Sequence, residues 1–238
     1  FLVRSRFKFL FTFKKFYYFF FSFFYTKVFL DKNCIDKISE IKKLLEIINF
    51  NYNENDLNTI NKNIVLKRNF NLSNLNNFIV FHFDEKWIYD DYLKSYISIE
   101  PSNENNFFNF LKEITIKSNS NLVISTGLKD NKFINFLKKN LNFISKNIYS
   151  IEFRKKKIFL YDNLSFSELE KLILLSNTII TCHGAPSHVA AALDKNLIDI
   201  IDESENHFFL KWTSHFRKHH LVTREKFDII SNKILNLL

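Results

Sequence analysis

From Phe78 to the end of the chain, short apolar runs alternate with segments of helical period, and this alternation constrains the fold more than any other feature. Phe78–Phe83 (FIVFHF), Asn121–Ser125 (NLVIS), Thr178–Cys182 (TIITC) and Leu197–Ile201 (LIDII) read as buried strands. Phe107, Phe110, Leu111 and Ile114 predict a helix over Asn106–Lys117, and Lys132–Leu141 predicts another. Ser165–Ser176 opens with Ser165-x-x-Glu168, a capping-box signature, and continues through Leu169, Leu172, Ile173 and Leu175. Helices over Pro186–Leu193 and Lys226–Leu237 complete the pattern. Strand followed by helix, repeated, predicts an α/β fold: a Rossmann-like parallel sheet flanked by helices. The 46% apolar and 25% charged residues exclude a disordered chain and a multi-span membrane protein. Two Gly and two Pro in 238 residues exclude collagen-like and linker classes. Thirty Phe, with abundant Asn, Ile and Lys, fit AT-rich codon usage, so these counts carry no functional weight.

The first 75 residues behave differently. Ile35, Ile38, Ile41, Leu44, Leu45 and Ile48 predict a helix over 31–50, and the Asn- and Asp-rich stretch 51–77 reads as a connection. Residues 1–30 carry Arg4, Arg6, Lys8, Lys14, Lys15 and Lys27 with no acid, which is +6 of the net +9, and hold 12 of the 30 Phe. Their longest charge-free run, Phe16–Thr26, has 11 residues, against the roughly 20 that span a bilayer. Two readings stay open: a helical piece whose aromatic face packs inside a domain, or a peripheral contact with an anionic membrane surface. Nucleic-acid binding by the same cations has no accompanying motif and is not expected. The expected organisation is a basic, Phe-rich helical remnant with a linker over 1–75 and a Rossmann-like domain over 76–238. The absence of Met suggests a fragment or a processed product, and Cys34 and Cys182 form neither a disulfide framework nor a metal pattern, as in a reducing cytoplasm.

Ligands of parallel sheets sit beyond the carboxyl ends of the strands. Three strand-end loops, 82–87, 125–130 and 182–188, hold both glycines, one of the two prolines, three of the seven His and a Trp. In the last loop a strand runs into His183-Gly184-Ala185 and then a helix with Pro186 near its start. Small residues admit close approach, and the N–H groups of a first helical turn favour a phosphate or diphosphate. The same residues also suit a tight strand–helix turn with no ligand. Lys86 in the first loop is either a point charge for a phosphate or half of a surface ion pair with Asp84 or Glu85. Thr126 and Gly127 offer a hydroxyl and an N–H, or an ordinary turn; His188 is a ligand donor or a satisfied, partly buried imidazole.

Taken in order, FHFDEKW, VISTGLKD, NLSFSELEKLILLSNTIIT and HGAPSHVAAAL resemble the C-terminal half of the bacterial heptosyltransferase family, glycosyltransferase family 9, over roughly two thirds of the chain. The resemblance implies the C-terminal domain of a GT-B fold and an inverting, metal-independent hexosyl or heptosyl transferase. Its donor would be a nucleotide diphosphate sugar, with no further cofactor. Its acceptor would be a cell-envelope glycan or lipid-linked molecule of the lipopolysaccharide type. The setting implied is bacterial cytoplasm, with peripheral contact at the inner face of the plasma membrane. By position, Lys86 would contact the donor diphosphate, and Thr126, Gly127, Lys129 and Asp130 would lie near the ribose. Leu164 would wall the base pocket, and His183, Gly184, Ala185, Pro186 and His188 would surround the diphosphate and sugar. Two departures matter: the family's strand-end Asp is His183 here, and its Gly is Ala185. Negative charge grows on the departing diphosphate during transfer, so Lys86 and His183 are the expected catalytic groups. The family's general base belongs to its N-terminal domain, and residues 1–75 offer no match for it.

Two other classes compete. Cys182 beside His183 suggests a Cys-dependent hydrolase, although neighbouring strand residues face opposite ways. A non-catalytic, membrane-associated remnant is the other. The patch Trp212–Arg224, with His215, Arg217, Lys218, His219, His220 and Arg224, either reaches the diphosphate or acceptor or is a solvated loop.

Overall fold

The computed structural model describes residues 36–53, 62–67, 70, 72, 75–88, 98–127 and 131–238, together with the backbone of 9–12 and 27–30. It divides into two units, residues 1–57 with 207–215, and residues 58–206 with 216–238.

In the first unit, β1 (Phe9–Thr12) pairs in parallel with β2 (Lys27–Leu30). These residues are extended, not helical as expected for 1–30; aromatic and β-branched residues favour the extended backbone. The rest of 1–30, with the charge-free aromatic run, lies outside the described residues. Helix α1 (Lys37–Ile47) starts at Lys37 rather than at the expected residue 31, because Asp36 caps it, accepting from the Ser39 N–H at 3.0 Å. Its buried Glu40 pairs with Lys37 at 2.6 Å and with Lys211 at 3.1 Å.

The second unit is an eight-stranded sheet in the order β10–β9–β8–β3–β4–β7–β6–β5. The strands are β3 (Phe78–Phe83), β4 (Asn121–Thr126), β5 (Asn142–Ser145), β6 (Ile148–Phe153), β7 (Lys156–Tyr161), β8 (Thr178–Cys182), β9 (Asn196–Ile201) and β10 (His219–Thr223). The pairings β10–β9, β9–β8, β8–β3, β3–β4 and β4–β7 are all parallel, and only β5–β6 and β6–β7 are antiparallel. The helices are α2 (Lys62–Leu66), α3 (Glu104–Ser118), α4 (Lys132–Asn140), α5 (Phe166–Leu175), α6 (Ala185–Ala192), α7 (Asn206–Thr213, most of which belongs to the first unit) and α8 (Phe227–Leu237). The expected α/β class, a mostly parallel sheet flanked by helices, is what the chain forms.

Strand alternation divides the interior into two cores. Ile79, Phe81 and Phe83 of β3 join Ile180, Ile200 and residues of α3, α4 and α8 on one face. Phe78 and Val80 join Val123, Ile179 and residues of α2, α5 and α6 on the other. Val65, Leu72 and Leu75 enter this second core, so the stretch that reads as a connection supplies part of the interior. The sequence reading missed the β5–β6–β7 meander. The two-residue turn between β6 and β7 is Arg154-Lys155, both at positive φ (49° and 64°), without the Gly or Asn that announces such turns. It also missed α7, and β10, which lies inside the patch weighed as a solvated loop.

The chain runs β3 to β4 to β7 in one direction, then returns to place β8 on the other flank of β3. This reversal puts a topological switch point at the carboxyl ends of β3 and β8, the place where open parallel sheets bind their ligands. Among the described residues, no helix is long and apolar enough to cross a membrane.

Candidate functional site

The two glycines locate the site. Positive φ is taken by Asn49, Asn77, Asn119, Asn147, Asn163, Asp194, Arg154 and Lys155, and by neither glycine. Both glycines instead sit against one loop. A Cβ on Gly127 would lie 2.5 Å from Glu85 Oε2 and 3.3 Å from Asp84 Cα, and one on Gly184 would lie 2.3 Å from Lys86 Nζ. The ends of β4 and β8 thus close on residues 84–86 from either side.

That loop is anchored firmly. Asp84 caps a 3-10 turn (Glu85–Trp87), accepting the Lys86 N–H at 3.2 Å. Trp87 is fully buried among Phe81 and Phe83, and its Nε1–H donates to the His82 carbonyl at 3.0 Å. The buried Arg224, just past β10, donates to the Lys86 carbonyl. With the backbone held, the Lys86 ammonium reaches across the switch point and donates to the His183 carbonyl at 2.8 Å. It is not engaged in an ion pair with Asp84 or Glu85, and among the described residues no carboxylate pairs with it. His82, on the preceding strand, lies 2.9 Å (Nδ1) from Ser125 Oγ. Burial, with Lys86 adding to it, pushes its pKa down to about 4, so it is a neutral interior residue.

On the β8 side, His183 continues the sheet by donating its N–H to Ile200 O at 2.9 Å. Helix α6 begins at Ala185, so Pro186 stands at the second helical position and contributes no donor. The Gly184 N–H goes to Ser187 Oγ at 3.3 Å, and the Ser187 N–H goes to Gly184 O at 3.0 Å. The turn therefore offers fewer amide donors than the sequence suggests. Its positive character comes from the helix end and from the Lys86 ammonium beside it.

Beneath the turn lies a residue the sequence reading passed over. Asp199, in the middle of β9, is completely buried. His183 Nδ1–H donates to its Oδ2 at 2.7 Å, His219 Nε2–H donates to the same oxygen at 3.2 Å, and the Ser187 hydroxyl donates to Oδ1 at 2.8 Å. Burial alone would raise this carboxyl's pKa, but the His183 and His219 donors outweigh it and hold it below the ordinary value. Phe216 bridges the outer imidazoles, its ring 5.2 Å from His188 and 5.0 Å from His219, and His188 stands edge-on to His183 at 5.3 Å. The signal was there: an acid inside an apolar strand, LIDII, must find partners when that strand is buried.

The other expected residues scatter. The Thr126 hydroxyl donates to Asp162 Oδ1 at 3.0 Å and accepts the Asn163 N–H at 3.1 Å, tying the end of β4 to the loop after β7. Leu164 packs against the second core. Asp130 and Lys129 lie outside the described residues. Cys182 is buried in the first core, and burial, aided by the Asp84 carboxylate, raises its thiol well above the ordinary value. A thiol buried in this way is a poor nucleophile, so the geometry gives the hydrolase alternative no support. The patch 212–224 is not a solvated loop either: β10 carries His219 to Asp199, and Arg224 is interior. Among the described residues, no group of three His, Cys, Asp or Glu side chains is arranged to hold a metal ion.

No family model matches this chain, and no curated protein matches it. Among solved structures it is similar to the ADP-heptose lps heptosyltransferase II of E. coli, with 16% identity and a TM-score of 0.43, over 74% of this chain and 49% of that one. It is also similar to the UDP-GlcNAc 2-epimerase of Methanocaldococcus jannaschii in complex with UDP-GlcNAc and UDP, with 17% identity and a TM-score of 0.42, over 88% and 48% of the two chains. A third is the solution structure of ALG13, with 14% identity and a TM-score of 0.33, over 56% and 70%. The chain thus spans about half the length of the first two. Likeness at this level adds nothing to what the strand order itself shows.

Proposed function

We propose that this chain binds the diphosphate of a nucleotide sugar in the crevice between the ends of β3 and β8. In this reading it is the donor-binding half of a glycosyltransferase acting on a cell-envelope glycan or a lipid-linked acceptor. The observation that carries it is the Lys86 ammonium, 2.8 Å from the His183 carbonyl, standing at the positive end of α6 beside a residue with no side chain. An anion at this point meets a full charge and a helix dipole together. The motif order from FHFDEKW to HGAPSHVAAAL supports the same reading.

The chemistry follows from charge. As the glycosidic bond to the donor breaks, the diphosphate gains negative charge, and Lys86, the α6 end and His183 oppose it without moving. In this reading Thr126 serves the site by tying the end of β4 to the loop after β7. No step here requires a resident metal, as the resemblance implies.

The reading is tested by thermal denaturation of the full chain with UDP, ADP, GDP and CDP. One of them, at about a hundredfold excess over its Kd, should raise Tm by about 5 °C or more. Lys86→Ala should weaken that ligand about tenfold or more, the usual worth of a charge-assisted contact. No shift with any of the four would refute the reading.

A further inference from the structure

We propose that the β5–β6 edge of the sheet is a docking surface for an anionic lipid bilayer, with Phe143 and Ile144 entering the headgroup layer and Lys139 and Lys146 resting on the lipid phosphates. This surface is separate from residues 1–30. The contact goes beyond the diphosphate reading and stands or falls apart from it.

Three observations carry it. First, β5 is the edge strand, and all four of its residues are exposed. Phe143 is 67% and Ile144 58% exposed, so two large apolar side chains at adjacent positions face water. The Phe143 ring stands edge-on to Tyr149, with centroids 5.7 Å apart, which holds it without covering it. Ile144 is where the register with β6 shifts, so it has no register partner. Secondly, the charge around them has one sign. From Asn131 to Ser150 the chain carries Lys132, Lys138, Lys139 and Lys146 and no acid. Glu100 pairs with Lys132, and Asp162 pairs with Lys138. Lys139, in the last turn of α4, and Lys146, in the β5–β6 turn, are exposed, and among the described residues no carboxylate pairs with either. Such a set suits an anionic interface, where apolar groups reach the acyl boundary and ammonium groups meet phosphates. Thirdly, the strand directions put Lys146 at the end of the sheet that carries Lys86 and Gly127. β5 is antiparallel to β6 and β6 to β7, so β5 points the same way as β7, β4 and β3. The Asp162 N–H donates to the Asn147 carbonyl at 2.9 Å, and its carboxylate receives the Thr126 hydroxyl at 3.0 Å, tying the β5–β6 turn to the end of β4. A bilayer held by this edge lies at the end of the sheet where a lipid-linked acceptor would have to arrive.

A second copy of this chain fits the same edge less well. Pairing two β5 strands antiparallel would set the Lys146 end of each against the Lys139 end of the other, like charge against like. The register shift at Ile144 also breaks the ladder that such pairing needs. A bilayer requires no ladder and rewards the charge: each Lys near an anionic surface raises partition by about fivefold.

The test uses the full chain with a polarity-sensitive fluorophore on Ile144→Cys, and with Cys34→Ser so that the buried Cys182 is the only other thiol. Its emission should move to the blue with vesicles of phosphatidylcholine and phosphatidylglycerol, and stay unchanged with phosphatidylcholine alone. In that labelled chain, Lys139→Gln together with Lys146→Gln should raise the lipid concentration at half-change by about tenfold or more. Phe143→Ser should raise it by about tenfold. These side chains are exposed, so the variants keep the fold. Co-sedimentation with anionic vesicles while the label does not respond assigns the membrane contact to another segment and overturns the proposal. Absence of co-sedimentation, an equal response to both vesicle types, or unchanged midpoints in the variants overturn it as well. A blue shift that grows with protein concentration and no vesicles gives the face to a second copy, which also overturns it. The nucleotide-induced rise in Tm is measured without lipid, so either reading can fail while the other holds.

Discussion

Gly184 has a defined consequence at the residue scale. Its φ of 169° is open to any residue, so Gly184→Ala introduces no backbone strain. The added Cβ displaces the Lys86 ammonium, which is the flexible end of a long side chain. We expect a change in stability below about 1 kcal/mol but a nucleotide affinity weakened nearly as much as by Lys86→Ala, read by titration calorimetry. His82 makes a second prediction. Its folded pKa of about 4 lies below the unfolded value of 6.5. The unfolded chain therefore binds the extra proton first as pH falls. Stability is complete above the unfolded value and is lost by up to about 3 kcal/mol on the way down to the folded one. His82→Asn keeps a polar atom near Ser125 and should flatten that part of the stability–pH curve in urea titrations. Lys86 and His183 were legible because strand-end position and chemistry coincide in the sequence. Asp199 was not singled out, because its meaning lies in partners 16, 12 and 20 residues away on other elements.

Long apolar periods placed α3, α4, α5, α8 and the central strands correctly at the element scale, and the Ser165–Glu168 capping box forms as expected. The missed elements lack local signals. In the β6–β7 hairpin, Arg154 and Lys155 occupy left-handed positions that cost L-residues about 1–2 kcal/mol each. Lys155→Gly should raise stability by about 1 kcal/mol in denaturant titrations, with the sheet otherwise unchanged. The 3-10 turn gives the opposite case. Trp87 is fully buried and fixes the backbone from which Lys86 extends. Trp87→Ala should cost about 3–5 kcal/mol. A cavity-filling Trp87→Phe should retain most of that stability yet loosen the turn through loss of the bond to the His82 carbonyl.

The strand order joins these parts at the scale of the whole second unit. Sequence alternation announced a parallel sheet, but which two strands flank the crevice depends on where the chain reverses, and no local pattern encodes that. The reversal beside β3 brings residues 86 and 183, nearly a hundred positions apart, within one hydrogen bond. The central claim is that this meeting point holds a diphosphate. The most direct measurement is amide chemical-shift mapping of the labelled chain as the stabilising nucleoside diphosphate is added. The account predicts that the largest perturbations fall on Lys86, Gly127 and the stretch His183–His188, with Asp199 following. Perturbations confined to other surfaces, with these amides unmoved at saturation, would contradict it.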